Sequence, residues 1–348
     1  MPLNKIPKLR EPRGPVSQQV RDLFLEREFK EKPEDYYLED VKMIENMDFL
    51  LQRYVIMQRK DVEGSVKMVS SMLRWRKERK LLEMSYKQFP CELTMAGGAF
   101  VYEPDKYGNK TLYLRASLCK NCAEIKSAMK DFLTYLLFQL DDAKDGHPYA
   151  IIMDLTNTTL TNYDIDLLTH IVALLKDYFP VNMDYFLAIN FPWILTAAWS
   201  LIKRLIPVEK RDAVQFISSD KIFDYVAKEN CPDFLGGTCQ RPYQFADPDA
   251  PNTIEYLKQN TTKSISHKRL KEILNLFNEN LTKEHMLDLK EQIEKMKDGI
   301  KVKDEISLNN NNNDSDENLN KSSSANDSAA IQEVSDSKAG KKKKKQTA

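Results

Sequence analysis

Apolar residues in the first quarter of the chain recur with the spacing of a helix. Val66, Val69, Met72 and Leu73 lie three or four residues apart or side by side, which places them on one face of an amphipathic helix. Similar helical patterns run from Val16 to about Glu83. The pattern therefore predicts a small N-terminal helical subdomain, which we assign to residues 16–90.

From Gly97 onward, short β-like runs alternate with helical stretches. Ala99–Tyr102 and Thr111–Arg115 flank turn residues that include Gly108-Asn109, and this arrangement predicts a hairpin. The elements predicted after it are helix Ala123–Leu140, strand Tyr149–Leu155, helix Asp164–Phe179, strand Tyr185–Ile189, helix Trp193–Ile206, strand Ala213–Ser218 and helix Asp220–Lys228. Strands that alternate with helices of this length predict an α/β fold with a mostly parallel sheet and flanking helices.

One segment of this domain has no charged residue from Tyr185 to Ile202. A run of 18 residues is almost long enough to cross a bilayer, but Asn190 and Pro192 argue against a single spanning helix. A buried strand that leads into a very apolar helix fits the pattern better. Such a helix must cover something apolar, and we therefore expect a lipid or a similar molecule.

Composition argues against several classes of protein and several cellular locations. Lys+Arg and Asp+Glu both number 52, so no overall charge favours nucleic acid. The first residues lack the apolar block of a signal peptide, and no segment is predicted to span a membrane. Five cysteines in a chain of 348 residues indicate reduced thiols in the cytosol. We expect a cytoplasmic protein that contacts membranes transiently and peripherally.

The two ends of the chain differ from its middle. Residues 1–15 contain four prolines and are predicted to form a flexible arm. Residues 248–300 carry helical spacing over 268–278 and 283–297 and predict appended helices. Residues 301–348 are rich in Asn and Ser and predict a disordered tail. Its terminal cluster Lys341–Lys345 either attracts anionic lipid or is simply a solvated end.

Several motifs follow one another in a fixed order between roughly Val41 and Thr238. They are Asp61-Val62-Glu63 before Arg74-Trp75-Arg76-Lys77-Glu78, the hairpin Asp105–Leu114, the strand Ile152-Met153-Asp154-Leu155, the pair Phe179-Pro180 ten residues before Ile189-Asn190-Phe191-Pro192-Trp193, and the closing Cys231–Gly237. In order and spacing these motifs resemble the CRAL-TRIO family of lipid-binding and lipid-transfer proteins, whose lipid-binding domain would correspond to residues 91–247. The chain looks most similar to the lipid-binding half of motile sperm domain-containing proteins.

The resemblance implies a sheet that floors a hydrophobic pocket and a mobile gate helix, here Trp193–Ile206, that closes it. The predicted pocket residues on the strands are Tyr113, Ile152, Asp154, Tyr185, Leu187 and Ile189. The predicted gate residues are Trp193, Leu195, Trp199 and Ile202, with Lys203 and Arg204 facing membrane phosphates. The alternative is that this helix is an ordinary core helix without motion.

Two departures from the family bear on the ligand. Members that transfer phosphatidylinositol carry a Glu after the Tyr-Pro pair and a Lys beyond the gate, where this chain has Val181 and Asp212. An inositol phosphate needs cationic donors and hydrogen-bond partners. These departures argue against phosphatidylinositol and leave open a neutral lipid, a sterol-like or terpenoid hydrophobe, or another phospholipid.

No catalytic set is evident, so we expect a protein that is not an enzyme and needs no cofactor or metal. The four histidines show no paired spacing, and no nucleophile elbow or phosphate-binding loop occurs. Cys119 and Cys122 have CxxC spacing, which leaves a redox or metal site as a minor alternative. A further alternative is an interaction scaffold that recruits a protein partner through residues 268–297.

Overall fold

The computed structural model describes residues 14–141, 146–162, 164–206, 208–277 and 281–301. The side chains of residues 198 and 208–210 are not described. The chain divides into two units, Met1–Val302 and Lys303–Ala348, and all described residues belong to the first. The predicted tail with its Lys341–Lys345 cluster, and most of the predicted N-terminal arm, lie outside the described residues.

Four helices form the N-terminal region because each has one apolar face. They are α1 (Pro15–Leu23, continued by a π-helix at Phe24–Phe29), α2 (Leu38–Asn46), α3 (Asp48–Met57) and α4 (Val62–Glu78). Val66, Val69, Met72 and Leu73 of α4 are all buried against α1 and α3, as their spacing predicts. This core is continuous with that of the remaining domain through Tyr178, whose ring stacks on Trp75 with centroids 3.8 Å apart.

A five-stranded sheet follows in the order β1-β2-β3-β4-β5. The strands are β1 (Ala99–Tyr102), β2 (Lys110–Arg115), β3 (Tyr149–Asp154), β4 (Met183–Ile189) and β5 (Val214–Ile217), and the helices around them are α5 (Cys91–Met95), α6 (Lys126–Leu140), α7 (Ile165–Ala173, continued by a π-helix at Leu174–Tyr178), α8 (Thr196–Leu205) and α9 (Ile222–Tyr225). Strands β1 and β2 are antiparallel, and the other pairs are parallel. The predicted α/β fold with its hairpin and parallel sheet is confirmed.

The two faces of the sheet have separate cores. Helices α6 and α7 cover one face, where Leu112, Leu114 and Ile151 are buried. The opposite face packs against α9 and the segment that follows it, with Ile152 and Leu187 among its buried residues. Both faces are therefore apolar, which is typical of parallel strands covered on both sides.

Three helices complete the described chain: α10 (Thr253–Asn260), α11 (His267–Phe277) and α12 (Lys283–Lys295). Their apolar faces pack on one another and on Cys122 and Ile125 at the start of α6. Helices α11 and α12 lie where the sequence spacing predicts them. Helix α10 was not predicted, although Asn252 caps it through a capping box with Glu255, the sequence signal of a helix start.

The helix predicted over Asp220–Lys228 is shorter in the structure than in the prediction. The structure has a 3-10 turn at Ser219–Lys221 and only one α-helical turn, Ile222–Tyr225. The backbone of Val226 is already extended. None of the helices in the described part of the chain is both long and apolar enough to cross a bilayer.

Candidate functional site

A cavity of about 240 Å³ lies between the sheet and helices α6, α7 and α8. Its floor is formed by side chains from the strands, and its walls come from the helices. The floor residues are Leu114, Met153, Phe186, Ala188, Val214 and Phe216, and the apolar wall residues of the three helices and the turn before α8 are Met129, Phe132, Leu133, Leu167, Leu168, Ile171, Leu195, Trp199 and Ile202. The cavity is therefore apolar over most of its surface and suits a hydrophobic molecule.

A second cavity of about 120 Å³ adjoins the first. Met153, Phe186 and Trp199 line both cavities. The second extends between α8 and the region around Phe179 and Val181. Trp199 is thus one of seven residues shared by the two spaces, and all seven are apolar.

The six strand residues predicted to line the pocket lie on the wrong face of the sheet. Tyr113, Ile152, Asp154, Tyr185, Leu187 and Ile189 do not line either cavity. All except Asp154 belong to the core on the opposite face, under α9. Side chains along a strand point alternately to the two faces of the sheet, so each predicted residue is next to one that does line the cavity. The residues on the cavity side are Leu114, Met153, Phe186 and Ala188. Asp154 instead accepts a hydrogen bond from the backbone N–H of Thr156 at 3.0 Å and holds the loop after β3.

Helix α8 has an inner and an outer face. Leu195, just before the helix, and Ile202 are buried, and together with Trp199 they line the cavity. Of the four predicted gate residues, Trp193 alone lies off the cavity, with 84 % of its surface exposed. Leu201 and Leu205 are also exposed. The outer surface is thus apolar, which is unusual for a helix that faces water.

Lys203 and Arg204 lie at the end of this helix, and both are exposed. They follow the exposed apolar residues directly, so the outer surface of α8 combines an apolar patch with two cations. This combination is typical of helices that dock on a lipid surface. Contact of these two side chains with membrane phosphates stays a prediction.

The sharp turn from β4 into α8 depends on Asn190. Its backbone is left-handed, with φ of 53°, a conformation that Asn tolerates better than most residues. Its Nδ2 donates to Thr156 Oγ1 at 2.9 Å, and its Oδ1 accepts from the N–H of Ser219 at 3.0 Å. These bonds tie the loops after β3 and β5 to the start of the α8 segment, so one end of this segment is anchored.

Polar side chains gather at another part of the cavity wall. Asp164 caps α7 by accepting from two backbone N–H groups and forms an ion pair with Lys126 at 2.9 Å. Asn162 donates to the carbonyl oxygens of Ser117 and Cys119. Thr158 Oγ1 is buried and has no hydrogen-bond partner among the described residues. All three line the cavity, so Thr158 offers an unused hydrogen-bonding group to a ligand.

Cys119 and Cys122 also line the cavity. Burial is the main cause that raises the pKa of each thiol to about 11. A reactive redox cysteine is a thiolate, which burial of this kind disfavours, and among the described residues neither cysteine belongs to a group of three potential metal ligands. The environment of these two residues therefore gives the CxxC interpretation no support.

Sequence reasoning missed the contribution of the C-terminal helices. Leu276 and Phe277, at the end of α11, line the cavity near Met129. Arg269 at the start of α11 holds this helix to the domain through two hydrogen bonds to Glu124, at 2.7 and 2.9 Å. The helical spacing of α11 was visible in the sequence, but nothing in the sequence indicated which surface it packs on.

The two positions that depart from the family have distinct environments. Val181 lines the second cavity and has a left-handed backbone with φ of 72°. Asp212 is exposed in the 3-10 turn before β5. An apolar side chain and a carboxylate thus stand at the two positions that the resemblance relates to the inositol phosphate, and their part in ligand selection stays a prediction.

The closing motif Cys231–Gly237 requires its last glycine. A Cβ atom at Gly237 would overlap the carbonyl oxygen of Cys231. Gly236 has φ of 82°, in the region that favours glycine. The tight turn fixes the segment that covers the opposite face of the sheet.

Comparisons with known proteins agree with this geometry. The family model of the CRAL/TRIO domain matches residues 94–237. Among curated proteins, tyrosine-protein phosphatase non-receptor type 9 of Homo sapiens is 20 % identical over 189 residues, which cover 53 % of this chain and 32 % of that protein. The Sec14 cytosolic factor of Schizosaccharomyces pombe is 28 % identical over 96 residues, which cover 26 % of this chain and 34 % of that protein.

Among solved structures, the crystal structure of Sfh5 has a TM-score of 0.53 at 16 % identity and covers 71 % of this chain and 96 % of that one. At this identity the likeness shows the fold alone. The chain spans between a fifth and about a third of the length of the curated relatives that it matches. These relatives do not show the expected similarity to motile sperm domain-containing proteins, which stays a prediction. Residues 94–237 are thus similar in sequence to the CRAL/TRIO domain.

Proposed function

We propose that this protein binds a hydrophobic ligand in the cavity under α8 and moves or presents it between membranes. CRAL/TRIO domains in general bind and transfer lipids. The observation that carries the proposal for this chain is the apolar cavity of about 240 Å³ whose cover, α8, has apolar residues on both its inner and outer faces.

The two-sided apolar character of α8 favours a gate over an ordinary core helix. A core helix of a soluble domain needs an apolar inner face only. Here Trp193, Leu201 and Leu205 are exposed on the outside. In water this surface is unfavourable, but at a lipid interface it is buried, so a membrane would favour α8 moving away from the cavity.

The size and lining of the cavity indicate the class of ligand. Pockets for drug-sized ligands measure about 300–1,000 Å³, so the space in this closed form suits a compact hydrophobe or part of a longer chain. A two-chain phospholipid would require α8 to move outward. The free Thr158 Oγ1 favours a ligand with one hydrogen-bonding group, such as a sterol-like or terpenoid alcohol or a lipid ester.

This function needs no covalent step, cofactor or metal in the cavity. It would operate in the cytoplasm with transient contact to membranes through the α8 surface. Apolar burial contributes about 25 cal/mol per Å² both in the cavity and in the bilayer, so the net affinity is modest and exchange between the two is possible. This balance suits transfer better than permanent storage.

The decisive experiment is native mass spectrometry of the purified full chain, followed by lipid analysis of its organic extract. A stoichiometric ligand would identify the cavity's chemistry, and the Val181 and Asp212 environments predict that it is not phosphatidylinositol. Protein without ligand is then incubated with liposomes of mixed composition and measured again.

If no ligand co-purifies and none is taken up, the lipid-binding proposal is wrong. The remaining candidate is then an interaction module in which α11 and α12 recruit a protein partner. Uptake of phosphatidylinositol in preference to the other lipids would keep the function but overturn the ligand class.

A further inference from the structure

Helix α5 and helix α12 bring three metal-ligand side chains together. Cys91 and Glu92 lie in the first turn of α5, and His285 lies in the first turn of α12, 193 residues from Glu92 along the chain. Cys91 and Glu92 are buried, and His285 is partly buried. Sequence analysis predicted no metal site, because no histidine stands near Cys91 in the chain. The fold supplies that histidine.

The three potential ligand atoms are already close. The Nε2 atom of His285 lies 2.9 Å from Oε1 of Glu92, and these two atoms and the Sγ atom of Cys91 all lie within 4.8 Å of one another. Tetrahedral zinc bonds of about 2.0–2.3 Å place ligand atoms about 3.3–3.7 Å apart. Side-chain rotations that move His285 Nε2 and Glu92 Oε1 apart by about 0.4 Å, with Cys91 Sγ at a similar distance from both, would therefore produce three ligands of a tetrahedral site.

The other oxygen of Glu92 is held by the start of α10. Glu92 Oε2 accepts hydrogen bonds from Thr253 N at 2.9 Å and Thr253 Oγ1 at 2.8 Å. Such outer bonds orient a metal-binding carboxylate and leave one oxygen for the ion. The N–H of Cys91 also donates to the carbonyl oxygen of Pro251 at 2.9 Å, so the backbone around the cluster is fixed on both sides.

The donor set selects the kind of ion. One sulfur, one nitrogen and one oxygen favour zinc over magnesium or calcium, which prefer oxygen alone. Burial and the neighbouring Glu92 raise the pKa of the Cys91 thiol to about 12, so the ion itself would displace the thiol proton, as a coordinated cation does. The resulting thiolate and the carboxylate would neutralise the double charge of Zn²⁺, which suits a buried position. The three side chains leave one position of a tetrahedral ion for water, and His285 is the one of them that keeps part of its surface, 20 %, exposed.

We propose that Cys91, Glu92 and His285 form a zinc site that fastens helices α10 and α12 to α5. The ion would join segments that are far apart in the chain, and its function would be structural. The competing arrangement is a metal-free buried pair between His285 and Glu92, which needs no contribution from Cys91.

Cobalt binding to the full chain tests the proposal. After dialysis against a chelator, Co²⁺ is added and the absorption spectrum is recorded. A bound thiolate produces a charge-transfer band, and tetrahedral geometry produces intense visible bands. Zn²⁺ should displace Co²⁺ with one equivalent bound per chain by elemental analysis, and Zn²⁺ should raise the Tm of the chelator-treated protein.

Matched variants distinguish the zinc site from the metal-free pair of His285 and Glu92. Cys91→Ser should remove the charge-transfer band, and His285→Gln should weaken Co²⁺ binding by at least about 10-fold. Cys239→Ser, at a partly exposed cysteine outside the cluster, should leave both unchanged. Circular dichroism checks that each variant is folded.

The outcome for the wild-type protein is decisive even if a variant fails to fold. A folded wild-type chain that gives no charge-transfer band, retains no zinc and shows no change in Tm would overturn the proposal and leave the metal-free pair. A band that persists in Cys91→Ser and disappears in Cys239→Ser would overturn it as well. Neither result depends on ligand binding under α8.

Discussion

Trp199 of α8 and Phe216 of β5 meet edge to face, with ring centroids 5.1 Å apart. Phe191 packs against the same Phe216 ring at 5.0 Å. Trp199 and Phe216 line the cavity, and Phe216 is still 44 % exposed. The contact therefore joins α8 to the edge of the sheet at the cavity wall, and an aromatic pair of this kind contributes only about 0.5–1.5 kcal/mol beyond its area burial.

A charge at Trp199 should abolish ligand uptake. Trp199→Asp introduces a carboxylate into an apolar cavity, where an unpaired charge is strongly unfavourable, and removes the contact with Phe216. Uptake from liposomes, measured by native mass spectrometry, should fall to background while circular dichroism shows an intact fold. Ser200→Asp places the same charge on the exposed neighbour in α8 and should bind ligand as the wild type does. Unchanged uptake by Trp199→Asp would contradict the proposed gate.

The cations on α8 should control membrane contact without controlling the cavity. Basic residues near an anionic surface contribute about 1 kcal/mol each, so replacing both Lys203 and Arg204 by alanine should weaken binding to phosphatidylserine vesicles about 30-fold. Vesicle co-sedimentation measures this effect, and native mass spectrometry should still detect bound ligand.

A charge-matched variant provides the control for that experiment. Lys258 and Lys263 are exposed at α10 and the segment after it, and their replacement by alanine removes the same total charge. If both double variants lose vesicle binding equally, the effect is one of overall charge and α8 is not the docking surface.

The element order could be predicted from sequence because the hydrophobic period changes from helical to strand-like at Gly97. The face of the sheet that lines the cavity could not be predicted from the sequence. Met153 and Ile152 are equally apolar neighbours on β3, and one lines the cavity while the other lies in the opposite core. In a sheet covered on both faces, the alternation of side chains assigns strand residues to two opposite faces, but it does not identify the face that lies under α8.

Long-range contacts account for the other parts of the candidate site that the sequence did not reveal. The packing of Phe277 beside Met129 and the approach of His285 to Glu92 depend on how α10–α12 fold back on the domain. Helical periodicity predicts an apolar stripe on α11 but does not specify its partner. By contrast, three of the four predicted gate residues, Leu195, Trp199 and Ile202, do line the cavity, since helical spacing places them on one face, while their role in a gate stays a prediction.

Backbone strain at Val181 predicts that a glycine at this position is more stable than an alanine, which is the reverse of the usual order. A β-branched residue with φ of 72° is a conformational outlier, and residues in such regions cost about 1–3 kcal/mol each. Glycine adopts this backbone without strain, whereas alanine retains most of the penalty. We therefore expect Val181→Gly to be more stable than Val181→Ala by about 1 kcal/mol.

Urea denaturation of the two variants measures this difference. At ordinary positions alanine is the more stable of the two by about 0.4–1 kcal/mol, because glycine has more conformational freedom in the unfolded chain. The sign of the difference in unfolding free energy therefore shows whether the backbone of residue 181 is strained. The two variants differ by only one methyl group in the second cavity, so the comparison reports mainly on the backbone, and a more stable Val181→Ala would show that position 181 is not left-handed in solution.

The ion pair between Glu124 and Arg269 predicts a pH-dependent attachment of α11. Hydrogen bonding from Arg269 is the main cause that lowers the pKa of Glu124 from 4.5 to about 2. A lowered pKa in the folded state means that the stabilisation is complete above the unfolded value and is lost as pH falls from about 5 toward 2. Arg269 is partly exposed, so Glu124→Gln should cost only about 1 kcal/mol at pH 7.

Urea unfolding of the wild type and Glu124→Gln between pH 3 and pH 7 measures this effect: the difference between the two proteins should shrink steadily as the pH falls. Glu272→Gln serves as the matched control, because Glu272 contacts the same arginine at 2.9 Å in an exposed i,i+3 pair worth only about 0.2–0.5 kcal/mol. Since α11 carries Leu276 and Phe277 into the cavity wall, Glu124→Gln should also speed ligand release at pH 7. A difference that stays constant with pH would show that Glu124 acts through packing and not through its charge.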